Sequence, residues 1–243
     1  MKHILSPMRK AIEDYEMIQD GDKIAVALSG GKDSITMLKA LKSLQYFYPK
    51  KFDLVAISVN PGFEFFDSEF LKHTCDEIEV PFVEEKYDIS QIVFEDRKEK
   101  NPCSLCANLR RGILSSAAKR ENCNKIALGH NLDDVLETFL MNLFFAGSIS
   151  TFAPLSYMSR SDITLIRPLV YVSEKEIKRY IKKSDTKIMP KVCPMDGNST
   201  REYIKNLIVS LSLKNPHVKA GILGAIQRNE INGWKDTTKK ISE

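Results

Sequence analysis

Nowhere in the 243 residues do eighteen apolar residues run together, so no segment reads as a membrane span. The first eighteen residues, MKHILSPMRKAIEDYEMI, lack a continuous apolar core followed by a small-residue cleavage site, and they are acidic by Glu13. They do not read as a secretory signal, and a cytoplasmic location is expected. Cysteines are few and odd in number, at 75, 103, 106, 123 and 193. That excludes a paired disulfide framework, leaving packing or metal binding to explain them. Two familiar phosphate loops are also missing, since neither G-x-x-x-x-G-K-[ST] nor G-x-G-x-x-G occurs. There is no internal repeat and no low-complexity tract.

What is present is the composition of an ordinary folded protein, 43% hydrophobic and 28% charged, long enough for one α/β domain with an extension. The net charge of +4 is unevenly spread. From Tyr171 to Glu243 there are 15 Lys and Arg against 8 Asp and Glu, whereas residues 1–170 carry 21 against 24. A basic C-terminal third on a slightly acidic body suits either a polyanion-binding appendage or a solvated Lys-rich helical face. No interleaving of aromatic and basic residues decides between them.

The most informative stretch is Lys23 to Leu38, KIAVALSGGKDSITML. Ile24–Leu28 is a short apolar run rich in strand formers, and Ser29, Gly30 and Gly31 permit a tight turn. Lys32 adds a positive charge, and Asp33 and Ser34 lead into the helical spacing Ile35, Leu38, Leu41. A strand, a glycine turn and a helix N-terminus in that order converge unpaired N–H groups and a helix dipole on one point, which suits an anion. S-G-G-K-D-S resembles the PP-loop of ATP pyrophosphatases, in which the loop holds the pyrophosphate end of ATP.

Along the chain, Met8, Ile12, Tyr15 and Ile18 predict a covering helix within residues 1–20. Strands are expected at 24–28, 52–59, 80–87, 125–128 and 164–170, the last with Pro168 at an edge or strand end. Helices are expected after the loop and at 67–78, 107–119, 135–145, 173–182, 200–213 and 218–229, with an exposed linker at 91–100. The alternation implies an α/β fold, a doubly wound parallel sheet of Rossmann-like type with right-handed crossovers and a helical C-terminal extension. The expected division is a helix over 1–20, an ATP-binding domain over 21–185 and a basic helical extension over 186–243.

In such a sheet, ligands bind beyond the carboxyl ends of the strands. Ser29–Ser34, Ser58 with Asn60, and Gly129–Asp134 all fall there, so three segments are expected to meet at one nucleotide. Asp33 and the Asp133–Asp134 pair suit Mg²⁺, or Asp134 suits acid–base work; both aspartates also suit plain dipole complementation at a helix start. His130 alone reads as structural. Cys103-x-x-Cys106 is ambiguous among metal, redox pair and packing. With Cys193 but no second pair or nearby His, the trio suits an iron–sulfur cluster with one open iron better than structural zinc, although zinc stays open. Cys75 and Cys123 suit burial as small hydrophobes.

SGGKDS, P-C-S-L-C-A-N-L-R-R-G, G-H-N-L-D-D and C-P-x-D-G-x-S-T-R, in this order from about Asp22 to Leu211, together resemble the TtcA family, tRNA 2-thiocytidine synthetases related to the TtuA-type thiouridine synthetases. The resemblance implies Mg-ATP on the PP-loop, adenylation of a tRNA base carbonyl, most simply C2 of cytidine 32 in the anticodon loop, and sulfur delivered via a 4Fe-4S cluster. It implies that Ser29, Gly30, Gly31, Lys32, Asp33, Ser34, Ser58, Gly129 and Asp134 bind nucleotide. It also implies that Cys103, Cys106 and Cys193 hold the cluster, and that Asp33, Arg110 and Asp134 serve the reaction. A sulfur donor, either a cysteine desulfurase or sulfide, is implied; a homodimer is an expectation without an argument from the residues. Both ends of the chain lack the C-x-x-C knuckles of TtuA-type enzymes, and Asp196 stands where some TtcA relatives carry another cysteine. The competing expectations are a TtuA-type enzyme, a lysidine-synthetase-like ligase without a cluster, and a non-catalytic ATP-binding iron–sulfur sensor.

Overall fold

The structure, a computed structural model, describes residues 1–63, 66–91, 93, 102–190 and 200–237, apart from the side chains at 90, 102 and 103. The elements run α1 (Lys2–Asp14), β1 (Asp22–Ala27), α2 (Lys32–Gln45), β2 (Phe52–Asn60), α3 (Ser68–Asp76), β3 (Phe82–Lys86) and the short α4 (Ile89–Gln91). After these come α5 (Pro102–Arg120), β4 (Lys125–Ala127), α6 (Leu132–Phe145), β5 (Leu155–Met158), β6 (Ile163–Ile166), α7 (Glu174–Lys183), α8 (Thr200–Lys214) and α9 (Val218–Arg228).

Six strands form one sheet in the order β3-β2-β1-β4-β6-β5. All neighbours are parallel except β5 and β6, which form an antiparallel pair with Leu155 opposite Ile166. The order reverses between β1 and β4, the switch point at which a doubly wound sheet opens a crevice. Three expectations are corrected. A sixth strand, β5, caps the edge; its LSYM pattern is only half-buried and gives no apolar run to recognise. β6 stops at Ile166, before Pro168, because proline cannot donate to a ladder. Helix α5 begins at Pro102, five residues earlier than its apolar spacing suggests, since proline is tolerated in a first helical turn. The linker expected at 91–100 lies largely outside the described residues.

The two faces of the sheet are covered unequally. One is buried beneath a large core to which α1, α2, α3 and α6 to α9 contribute, including Ile12, Leu38, Leu136, Ile177, Ile204 and Ile226. The other is covered chiefly by α5, whose Leu114, Ala117 and Ala118 pack on Val55, Ile57 and Ile126. A single helix cannot span six strands, so space remains beside α5 at the strand ends. The C-terminal segment is anchored by Trp234, only 1% exposed, whose ring lies 5.8 Å from that of Tyr15 and whose Nε1 donates to the Phe152 carbonyl at 3.0 Å. Burying a ring of this size contributes on the order of 3 kcal/mol. No described helix is long and apolar enough to cross a membrane.

Candidate active site

The phosphate cradle follows β1. Gly30 has φ +78°, a conformation costly for any other residue type except asparagine or aspartate, and Gly31 caps α2 in extended conformation. The Ser34 hydroxyl closes the turn by donating to the Gly31 carbonyl at 3.0 Å, while it accepts from the Ser29 N–H at 3.2 Å and the Ser29 hydroxyl at 3.1 Å. The first N–H groups of α2 have no intrahelical acceptor, so the turn presents donors and the positive end of a dipole together.

The loop after β4 meets this turn backbone to backbone. A Cβ on Gly129 would stand 3.2 Å from the Ser34 nitrogen and 3.3 Å from the Asp33 carbonyl carbon, so a side chain here would have to push the PP-loop backbone aside by a few tenths of an ångström. Asn131 caps α6 by accepting from the N–H groups of Asp133 and Asp134, and the Asp134 carboxylate returns a bond to the Asn131 N–H at 2.9 Å. Asn131 Nδ2 then donates to Asp33 at 3.1 Å, joining the two loops. Sequence reasoning passed over Asn131, although its place before Asp133 and Asp134 is an N-cap signature.

Between these loops and α5 lies a cleft of about 390 Å³. Its walls are apolar where Ala27, Ile57, Val59, Leu114, Ile126 and Leu165 face it. At its polar end stand Ser29, Asp33, Ser34, Gly129 and His130, and α5 adds Arg110 and Arg111. An apolar slot ending in a helix N-terminus and two guanidiniums is matched to a flat base with a phosphate tail. Thus Ser29, Asp33, Ser34, Gly129 and Arg110 are brought together around the cleft, Gly30 and Gly31 shape the turn without lining it, and Lys32, Ser58 and Asp134 are placed otherwise. Ser58 is fully buried, and the strand alternation turns it away from the cleft that Ile57 and Val59 face; its Oγ has no partner among the described residues. Asp134 does not line the cleft; its second oxygen faces Arg201 Nη1 at 3.4 Å. Burial raises the Asp134 pKa against the lowering effects of the Asn131 N–H and Arg201.

Lys32 is drawn sideways, 2.7 Å from Asp33 and 3.1 Å from Glu174. Glu174 is the hub of a cationic ring, with Lys178 and Lys205 each 3.1 Å from its other oxygen. Burial alone would raise its pKa, but the hydrogen bonds from Lys205 and Lys178 and the charge of Lys32 overcome this and hold it at about 2. A lowered folded-state value stabilises the fold above the ordinary pKa of about 4.5 and gives that stability up as the pH falls through about 2. Glu174→Gln is therefore expected to lower the melting temperature at pH 7 by several degrees, with the gap to wild type narrowing in melts taken from pH 4.5 downward.

Asp133 is also committed, accepting from the Glu174 N–H at 2.6 Å and from Lys219. His130 has its pKa lowered to about 4, first by burial and then by the charges of Arg167, Arg201 and Arg111, so its imidazole is neutral at pH 7. Its ring lies 4.9 Å from that of Phe152, and its Nδ1 has no partner among the described residues.

Of the cysteine trio, Cys106 lies half-buried one helical turn before Arg110; the Cys103 side chain and Cys193, with Asp196, lie outside the described residues. The residues bordering 191–199 both attach at the site. The Met189 N–H donates to the Gly30 carbonyl at 2.9 Å, and Arg201 reaches Asp134 and Glu137. Cys75 and Cys123 are buried, their thiols pushed up to about 12 and about 11 chiefly by burial, which suits packing.

The PP-loop domain family matches residues 2–211. The tRNA-cytidine(32) 2-sulfurtransferase of Geotalea uraniireducens is 39% identical over 89% of this chain and 87% of its own. That of Geobacter sulfurreducens is 39% identical over 93% and 89%. The chain belongs to the TtcA family. As a member of that family it is also similar in structure to the U34-tRNA thiolase NcsA of Methanococcus maripaludis, solved with its [4Fe-4S] cluster. The TM-score is 0.76 and the identity 25%, covering 93% of this chain and 78% of that one. An NH3-dependent NAD synthetase from Campylobacter jejuni, with TM-score 0.50 and 15% identity, shares the fold alone.

Proposed function

We propose that this TtcA-family chain is an ATP-dependent tRNA thiolase acting on C2 of cytidine 32. The observation that carries the reading is the cleft, which places the PP-loop at one end and Arg110, on the same helix as Cys106, at its side. The relatives' names supply the tRNA and the base.

The apolar slot receives adenine, and the α2 N-terminus with Ser29 and Ser34 receives the phosphates. Asp33 would hold the Mg²⁺ that balances their charge. Attack of the base carbonyl oxygen on the α-phosphorus expels pyrophosphate into a cradle of oriented N–H donors, which stabilises the developing charge without reorganisation. Arg110 and Arg111 hold the remaining phosphate and the base near one another. Neutral His130 offers an uncharged hydrogen-bonding edge in the same space. Cys103, Cys106 and Cys193 would hold a 4Fe-4S cluster, which would supply sulfur for the displacement of AMP. Sulfide replenishes it directly, or a desulfurase's persulfide sulfur does so once a two-electron reductant such as a thiol pair has reduced it to sulfide, and a homodimer is compatible with the exposed Phe144 and Phe145.

The test is to incubate the anaerobically purified chain with ATP, Mg²⁺, a sulfide source and unmodified tRNA, then digest the tRNA and weigh its nucleosides. One 2-thiocytidine and one pyrophosphate per tRNA are expected. Pyrophosphate without any thionucleoside would point to a ligase of the lysidine-synthetase kind.

A further inference from the structure

Beside the cleft runs a second depression, a groove of about 700 Å³ between α5 and the β5–β6 hairpin. Resting on the tRNA reading above, we propose that this groove carries the RNA backbone of the substrate toward the cleft.

One wall is a stripe along α5, Asn108, Arg111, Ser115 and Lys119, whose spacing of three or four residues puts them on one face. The other wall is the hairpin, with Arg160 at its tip and Tyr157 63% exposed. Three cationic side chains line the groove, and among the described residues no carboxylate does. Asp162, next to it, accepts from the Tyr157 hydroxyl at 2.8 Å, which sets the ring as a fixed stacking surface. Cations and an exposed aromatic ring are the side chains that hold a phosphate backbone and an unstacked base. Arg111 and Ser115 belong to both depressions, so the groove opens into the site.

The basic C-terminal third is the competing surface, and part of its charge is spent internally, at the residues nearest the site. Lys178 and Lys205 pair with Glu174, Lys219 with Asp133, and Arg201 with Asp134 and Glu137. Arg111, Lys119 and Arg160 form no ion pair among the described residues. They are exposed and available to phosphates.

The experiment measures binding of a fluorescent tRNA transcript to the full chain across a salt series, for wild type, Lys119→Ala with Arg160→Ala, and Lys182→Ala with Lys183→Ala. The groove pair is expected to weaken binding about tenfold near 0.1 M salt and to lower the salt slope by about two, with an unchanged melting temperature. The α7 pair is expected to change affinity less than about twofold. Unchanged RNA binding in the groove pair overturns the groove assignment and leaves the thiolase reading standing. Equal losses in both pairs also overturn it, in favour of diffuse charge. Intact RNA binding with lost sulfur transfer from a protein donor would assign the groove to an acidic protein instead. A wild-type chain that does not bind tRNA would sink the thiolase reading, and the groove assignment with it.

Discussion

Cys106→Ala, purified without oxygen, is expected to lose its iron and acid-labile sulfide and to form no 2-thiocytidine above background, while it still binds ATP. The separation follows from where Cys106 stands. It lies half-buried in the first turns of α5, packed against the smaller core, and the nucleotide cradle is built from β1, α2 and the loop after β4. Removing one thiolate from a half-buried position leaves the Ser29–Ser34 hydroxyl pair and the Asn131–Asp33 bond untouched. Iron, sulfide and zinc measured per chain, beside nucleotide binding by fluorescence, check it. Thiolation that survives in Cys106→Ala would mean that sulfur reaches the base without this residue. Stoichiometric zinc with no sulfide in the wild type would remove the cluster from the mechanism.

Gly30→Ala is expected to cost at least about 2 kcal/mol and to raise the KM for ATP tenfold or more, whereas Gly31→Ala changes the melting temperature of the ligand-free chain by no more than about two degrees. The two glycines are adjacent and look alike in the sequence, yet their surroundings differ. Gly30 has φ +78°, and an added Cβ would lie 2.8 Å from Met189 Cγ and overlap its sulfur. Gly31 has φ −77°, and the nearest atom to its Cβ would be Ser29 Oγ at 3.7 Å. Alanine at 30 therefore strains the backbone and also pushes Met189 off the loop. Met189 is where the segment leading to Cys193 is tied to the PP-loop, so iron retention should fall alongside ATP affinity. Thermal melts, ATP kinetics and iron content of the two variants decide it; equal melting temperatures for both would refute the steric argument.

Much of the fold was legible because its signals are local. Short β-branched runs bounded by glycine and charge announce buried parallel strands, and α3, α6 and α7 carry their own caps at Asp67, Asn131 and Ser173. The edge strand β5 escaped because a half-buried edge needs no continuous apolar run. The start of α5 escaped because Pro102 and the polar residues near it resemble a loop until the helix is packed. In the site, Ser29, Gly30, Gly31, Asp33, Ser34 and Gly129 were legible through glycines and small hydroxyls at fixed places. Ser58 was misplaced because an apolar strand buried on both faces hides which side each residue takes. Glu174 carries no motif, and Arg201, although it closes the C-P-x-D-G-x-S-T-R motif, was given no role; the importance of both lies in partners 142 and 67 residues away in the chain.

By itself, the sequence determined the order of the parallel strands and the main helices, the phosphate turn and the family, because each rests on neighbouring residues whose backbone preferences and spacing act at short range. Only the tertiary structure decided which side chains face the cleft, which basic residues are consumed in internal pairs, and which remain exposed along α5 and the hairpin. Those outcomes depend on which distant charges and surfaces meet, and the energy of a charge is set by the partner and the burial it finds after folding.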